Sequence, residues 1–85
     1  MILDVNVIID YIGSHYDCDV QFTHYIHESD PYGSIVVSFY NSNIRLGYFK
    51  IPYEDVLESN SSKRIPKVIG LINTYIKGNI PELMI

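Results

Sequence analysis

Apolar and polar positions alternate through most of the first half of the chain and change to helical spacing near residue 53. Leu3, Val5, Val7, Ile9 and Tyr11 fall on one parity, and Asp4, Asn6 and Asp10 on the other. That period predicts a half-buried strand whose second face Ile8 and Ile12 make partly apolar. Gly13, Ser14 and the polar run to Asp19 end it. Val20, Phe22, His24 and Ile26 then alternate with Gln21, Thr23, Tyr25 and His27, which predicts a second strand. Ser29-Asp30-Pro31-Tyr32-Gly33 reads as a turn, because Pro presets φ and Gly supplies a positive φ. Residues 34–40 predict a third strand, 41–43 a short turn, and 44–51 a fourth strand that Pro52 stops. Two short connections in succession predict that strands two to four form an antiparallel meander.

Residues 53–58 predict a short helix, and the polar break at 59–62 offers a Ser to cap the next one. Ile65, Val68, Ile69, Ile72, Tyr75 and Ile76 share one helical face. Pro66 suits a first turn, where backbone N–H groups lack partners, and Gly78 suits the position just after the last turn. The apolar tail at 80–85 is expected to pack back on the core. The expected fold class is α+β: about four mainly antiparallel strands forming one sheet, packed on a C-terminal α-helix, with residues 1–85 as a single domain. On these parities one sheet face carries Thr23, Tyr25, His27, Ser38 and Tyr40. That polar-aromatic face is the first candidate binding surface.

Composition sharpens this picture without changing it. Apolar residues make up 47% and charged residues 19%, which suits a folded domain. A domain of this size buries only ~60–65% of the surface its unfolded chain exposes, so it has few core side chains to give up to a catalytic pocket. A non-enzymatic role is therefore expected, with no catalytic residue and no cofactor. Eight Tyr and three Phe suit both half-buried strands and wet protein interfaces. Cys18 is the sole cysteine, so an internal disulfide is excluded. With neither a cationic leader nor an apolar run of ~18 residues, a cytoplasmic protein with no membrane contact is expected.

The net charge of −4 is unevenly placed. Residues 1–42 hold Asp4, Asp10, Asp17, Asp19, Glu28 and Asp30 and no Lys or Arg, a charge of −6. Residues 43–85 carry +2. An acidic half repels phosphate and suits a basic protein surface, so a protein is the expected partner rather than nucleic acid. Lys63, Arg64 and Lys67 cluster at a helix start, where the dipole disfavours cations but exposed N–H groups could receive an anion. The plainer reading of that cluster is a solvated face.

Two constellations suggest other chemistry. Met1-Ile2-Leu3-Asp4-Val5-Asn6-Val7-Ile8-Ile9-Asp10-Tyr11-Ile12 resembles the first strand of PIN-domain ribonucleases. The resemblance implies that Asp4 helps bind a catalytic divalent metal, since clustered carboxylates hold hard cations that activate water. It covers about a dozen residues. Beyond them antiparallel strands stand where that family has helices, and Asn43 stands where it has an acidic residue. His15, Cys18, His24 and His27 raise the question of zinc, but His24 and His27 would point to opposite faces of a strand, so no metal site is expected.

The function expected from these residues is that of a small acidic inhibitor or neutraliser binding a basic site on a target protein. Immunity proteins, antitoxins and phage anti-host proteins share this size and acidity. Asp17, Asp19, Tyr25, His27, Glu28, Asp30 and Tyr32 are the expected protein-binding residues. Aromatic anchors would supply burial and carboxylates would supply steering. The alternatives are a homo-oligomeric structural or regulatory module, such as a homodimer in which the half-exposed sheet, a possible edge strand and the apolar tail at 80–85 pair between copies, and a minimal PIN-like nuclease built on Asp4 and Asp10.

Overall fold

The first element departs from the expected strand. In the computed structural model, which describes residues 2–84, Val5–His15 forms helix α1. The β-branched content of this stretch suits a strand, but burial follows the other period: Val5, Ile8, Ile12 and Tyr16 pack on the core at steps of three and four. Ile8 and Ile12, the untidy second face of the expected strand, are completely buried. Asp4 starts the helix by accepting the Asn6 N–H at 3.2 Å, the N-cap arrangement that satisfies one orphan donor. Met1, which opens the PIN-like run, and Ile85, which ends the apolar tail, lie outside the described residues.

Three strands follow rather than four in all: β1 (Asp19–His27), β2 (Asp30–Asn41) and β3 (Ile44–Pro52), antiparallel in the order β1-β2-β3. The meander expected for strands two to four is therefore the whole sheet. Ser42 and Asn43 form the β2–β3 turn with φ of 51° and 67°, the left-handed pair that a two-residue hairpin loop requires. The other hairpin is tighter than expected. Glu28 and Ser29 make the turn, and residues 30–33 belong to β2. The pairing steps from Tyr25↔Ser34 to His27↔Asp30, so β2 carries the surplus residues of a bulge. Gly33, at φ 70°, belongs there: a Cβ would lie 1.9 Å from the Tyr25 carbonyl oxygen. Asp30 Oδ1 holds the bulge by accepting the N–H groups of Tyr32 at 3.2 Å and Gly33 at 3.1 Å.

Helices α2 (Tyr53–Glu58) and α3 (Ser61–Asn79) and a short 3-10 turn (Pro81–Leu83) complete the chain. Val68, Ile72 and Ile76 of α3 are fully buried, as their spacing predicts, against Ile35, Val37 and Phe39 of the central strand. Three details of α3 differ from expectation. Its N-cap is Asn60, without a side-chain bond, rather than a Ser. Pro66 lies past the first turn, and Gly78 lies within the last one. Ile80 and Leu83 of the tail are buried, and Leu83 accepts the Asp17 N–H at 3.0 Å, tying the tail to the start of β1.

Tyr75 of α3 crosses β3 where Gly47 leaves room. Its ring stacks on Phe39 and Phe49, at 5.4 and 4.9 Å between centroids, and its hydroxyl accepts the Tyr48 N–H at 3.1 Å.

Candidate functional site

The helices cover one sheet face and leave the other open. Strand alternation with the observed pairing puts Gln21, Thr23 and Tyr25 of β1 on the open face beside Ser38, Val36 and Ser34 of β2, with Tyr48 and Lys50 of β3 on the far side. This is the face expected to carry Thr23, Tyr25, His27, Ser38 and Tyr40. Along it runs a groove of about 500 Å³. Ser34, Val36 and Gly33 line it from β2, and Tyr25, His27 and Asp30 bound it on the β1 side and at the hairpin. Arg45, Tyr48 and Lys50 form the opposite wall.

The geometry of that wall rests on Arg45. Its guanidinium lies 4.2 Å from the centre of the Tyr48 ring, within cation–π range, and donates to Ser38 Oγ at 3.4 Å. Arg45 and Tyr48 differ in parity, so a regular strand would send them to opposite faces. A register shift reconciles them: Phe39 pairs with Gly47 but Tyr40 with Arg45, so Leu46 is the extra residue of a bulge and Arg45 returns to the open face. On the other wall, Ser29 N–H donates to His27 Nδ1 at 3.2 Å. Ser29 thus engages Nδ1 through both its N–H and its hydroxyl, and Nε2 has no hydrogen-bond partner among the described residues.

Of the seven expected binding residues, Tyr25, His27 and Asp30 meet at the groove. Glu28 stands exposed in the adjoining turn, and Tyr32 is half exposed with its carbonyl accepting from His24 Nε2 at 2.7 Å. Asp17 and Asp19 do not join them. They lie at the other end of β1, ~20 Å away at the rise of a strand, beside a smaller recess with Cys18, Tyr40 and Asn41. The acidic half of the sequence is therefore no single acidic surface. The residues that sequence reasoning missed, Arg45, Tyr48 and Lys50, lie in the half read as basic. Tyr48 and Lys50 could have been found from their shared parity, but Arg45 is hidden by the bulge.

The other constellations separate. Asp4 caps a helix and Asp10 lies exposed further along it, so the strand on which the PIN resemblance rested is absent. Among the described residues no three His, Cys, Asp or Glu side chains group as a metal would need. His15 stacks on Tyr11 at 4.0 Å, and His24 packs at 4.2 Å from Tyr53 under the sheet. Burial pushes the Cys18 thiol above its ordinary range, and the neighbouring Asp19 and Asp17 add to the shift. In the cluster at 63–67, Lys63 is exposed and the other two cations are engaged by the backbone of α2. Arg64 donates to the carbonyls of Val56 and Leu57 at 3.1 and 3.2 Å, and Lys67 to that of Asp55 at 3.0 Å. These cations close the C-terminal end of α2, where the dipole favours them.

Among the described residues no helix is long and apolar enough to cross a membrane. The chain matches no family model, no curated protein and no solved structure, so its function has to be argued from its own side chains.

Proposed function

We propose that the chain is a non-enzymatic protein-binding module that meets its target with the open sheet face. One observation carries this reading: Tyr25 and Tyr48, 60% and 51% exposed, stand on opposite walls of the groove, with Arg45 laid over the second. Tyr and Arg are the side chains that most often anchor protein interfaces. The cation–π contact restrains Arg45 before any partner arrives, which lowers the entropy lost on binding.

The specific form of the reading is an inhibitor or neutraliser of a target's basic site. Glu28 in the turn that adjoins the groove supplies an exposed carboxylate, while Asp30 already holds the bulge. Asp17 and Asp19 steer from the far end of β1. Arg45 and Lys50 add a requirement absent from the acidic half: the partner must bring a carboxylate to the groove as well.

The test uses the protein as bait at moderate salt, comparing wild type with a Tyr25→Ala, Tyr48→Ala double variant. Both tyrosines are exposed, so the variant should fold. A stoichiometric partner held by wild type and lost by the variant is the expected result. No partner, or one that both forms retain equally, would refute the reading.

A further inference from the structure

The two edges of the sheet are finished differently. On β3, the outward N–H of Tyr48 is taken by the Tyr75 hydroxyl, so α3 guards that edge. On β1, among the described residues, no side chain or segment bonds the outward backbone of residues 19–27. Helix α1 and the Leu83–Met84 segment pack beside the first residues of β1, and the rest of the strand lacks two usual devices against edge pairing. It has no Pro or Lys, and the hairpin irregularity is absorbed by β2 rather than by β1.

We propose that β1 pairs with β1 of a second copy of this chain, antiparallel about a two-fold axis at Thr23, joining two three-stranded sheets into one. The strand is self-complementary in this register. Asp19 faces His27 of the other copy, Val20 faces Ile26, and Gln21 faces Tyr25, each on its proper side of the sheet. Ser29 engages Nδ1 of His27 and leaves Nε2 without a partner among the described residues, so a carboxylate opposite it can accept a charge-assisted bond. Ile26 is 69% exposed, the most exposed large apolar side chain among the described residues, and in this register it lies against the margin of the core at the buried Val20. A two-residue slip either way separates Asp19 from His27, and a one-residue slip sends every pair to opposite faces. The axis stands perpendicular to the sheet, so both open faces end on one side. The pairing does not depend on whether that face binds another protein.

The mass of the full chain in solution, by sedimentation velocity and native mass spectrometry at micromolar concentration, should be twice 9.8 kDa. Register is read by cross-linking in a Cys18→Ser background. Opposite Cα atoms in an antiparallel pair are ~4.5–5.5 Å apart, within disulfide reach. Thr23→Cys should therefore oxidise to a covalent dimer. Gln21→Cys should link poorly alone but well when mixed with Tyr25→Cys. Asp19→Lys should weaken the dimer about tenfold or more, since the change acts twice, and adding His27→Asp should restore it. Circular dichroism checks that these variants fold, and the cross-linking pattern decides alone if Asp19→Lys does not. A monomer at sub-millimolar concentration would overturn the proposal. So would a dimer that Asp19→Lys leaves intact and Thr23→Cys does not link.

Discussion

Gly47→Ala and Tyr75→Phe should be strongly coupled, with the second reversing the sign of the first. A Cβ at Gly47 lies 2.6 Å from the Tyr75 hydroxyl oxygen but 3.5 Å from the nearest ring carbons. The ring distances are ordinary contacts, so only the hydroxyl collides. It cannot swing aside freely, because the ring is stacked on Phe39 and Phe49 and the oxygen holds the Tyr48 N–H. Forcing a packed side chain to shift costs ~1–3 kcal/mol. Against that, Ala in a strand interior recovers ~0.5–1 kcal/mol of the chain entropy that Gly loses on folding. The single Gly47→Ala variant should therefore lose ~1–2 kcal/mol. Tyr75→Phe alone removes one exposed hydrogen bond and should lose ~0.5–1 kcal/mol. In the Tyr75→Phe background, Gly47→Ala meets only carbon at contact distance and should be neutral or stabilising by up to ~1 kcal/mol. The coupling, roughly 1.5–2.5 kcal/mol, exceeds the ~0.3–0.5 kcal/mol scatter of independent sites. Urea unfolding of the four chains by far-UV circular dichroism measures it, provided the m-values agree. Additive effects would refute the idea that the hydroxyl is what requires glycine at 47.

Four further predictions follow from named contacts. Arg64→Ala leaves the Leu57 carbonyl without its partner and the Val56 carbonyl with only the Ser59 N–H, and should cost ~1–2 kcal/mol, read from the urea midpoint; a loss below ~0.5 kcal/mol would mean water replaces the guanidinium. Gly33→Ala drives a Cβ into the Tyr25 carbonyl at a positive φ, and chemical denaturation should show a loss of about 3 kcal/mol or more. Asp4→Ala should cost ~1 kcal/mol by loss of the N-cap, a fall in Tm of ~4–8 °C, while Asp4→Asn should be nearly neutral; equal losses for both would contradict the capping role. Cys18 should react with iodoacetamide with a pH midpoint above the ~8.5 of a free thiol, and Asp19→Asn should lower it. The Cys18 thiol and the Tyr16 phenol are both raised in the folded chain, chiefly by burial.

The meander and α3 were legible because their apolar residues fit one period and no other. Ile65, Val68, Ile69, Ile72, Tyr75 and Ile76 are of mixed parity and cannot all share a face on a strand, and the Asn-rich turn at 41–43 suits a tight hairpin. The first dozen residues fit both periods. Leu3, Val5, Val7 and Ile9 alternate, while Val5, Ile8 and Ile12 follow a helix, and β-branched content tilted the balance toward a strand. What settles it is tertiary: α1 covers the end of the sheet with Ile8 and Ile12, while Val7 and Ile9 stay exposed. The same limit hid the role of Arg64 and Lys67. Their cations are visible in the sequence, but the α2 carbonyls that receive them are brought close only by the turn between α2 and α3.

Two irregularities in the sheet account for the groove. A regular β3 would turn Arg45 toward the helices, away from Tyr48. The extra residue Leu46 turns it back, and Ser38 beneath accepts from the guanidinium. At the other end, the surplus residues 31–33 of β2 let Asp30 fold onto the Tyr32 and Gly33 N–H groups while Asp30 pairs with His27 across the hairpin. Each bulge gives up part of a hydrogen-bond ladder and re-aims a side chain. Both act on the same face, and both bring polar side chains to the margin of one groove. That shared placement, more than the exposure of any one tyrosine, argues that the open face is shaped for contact.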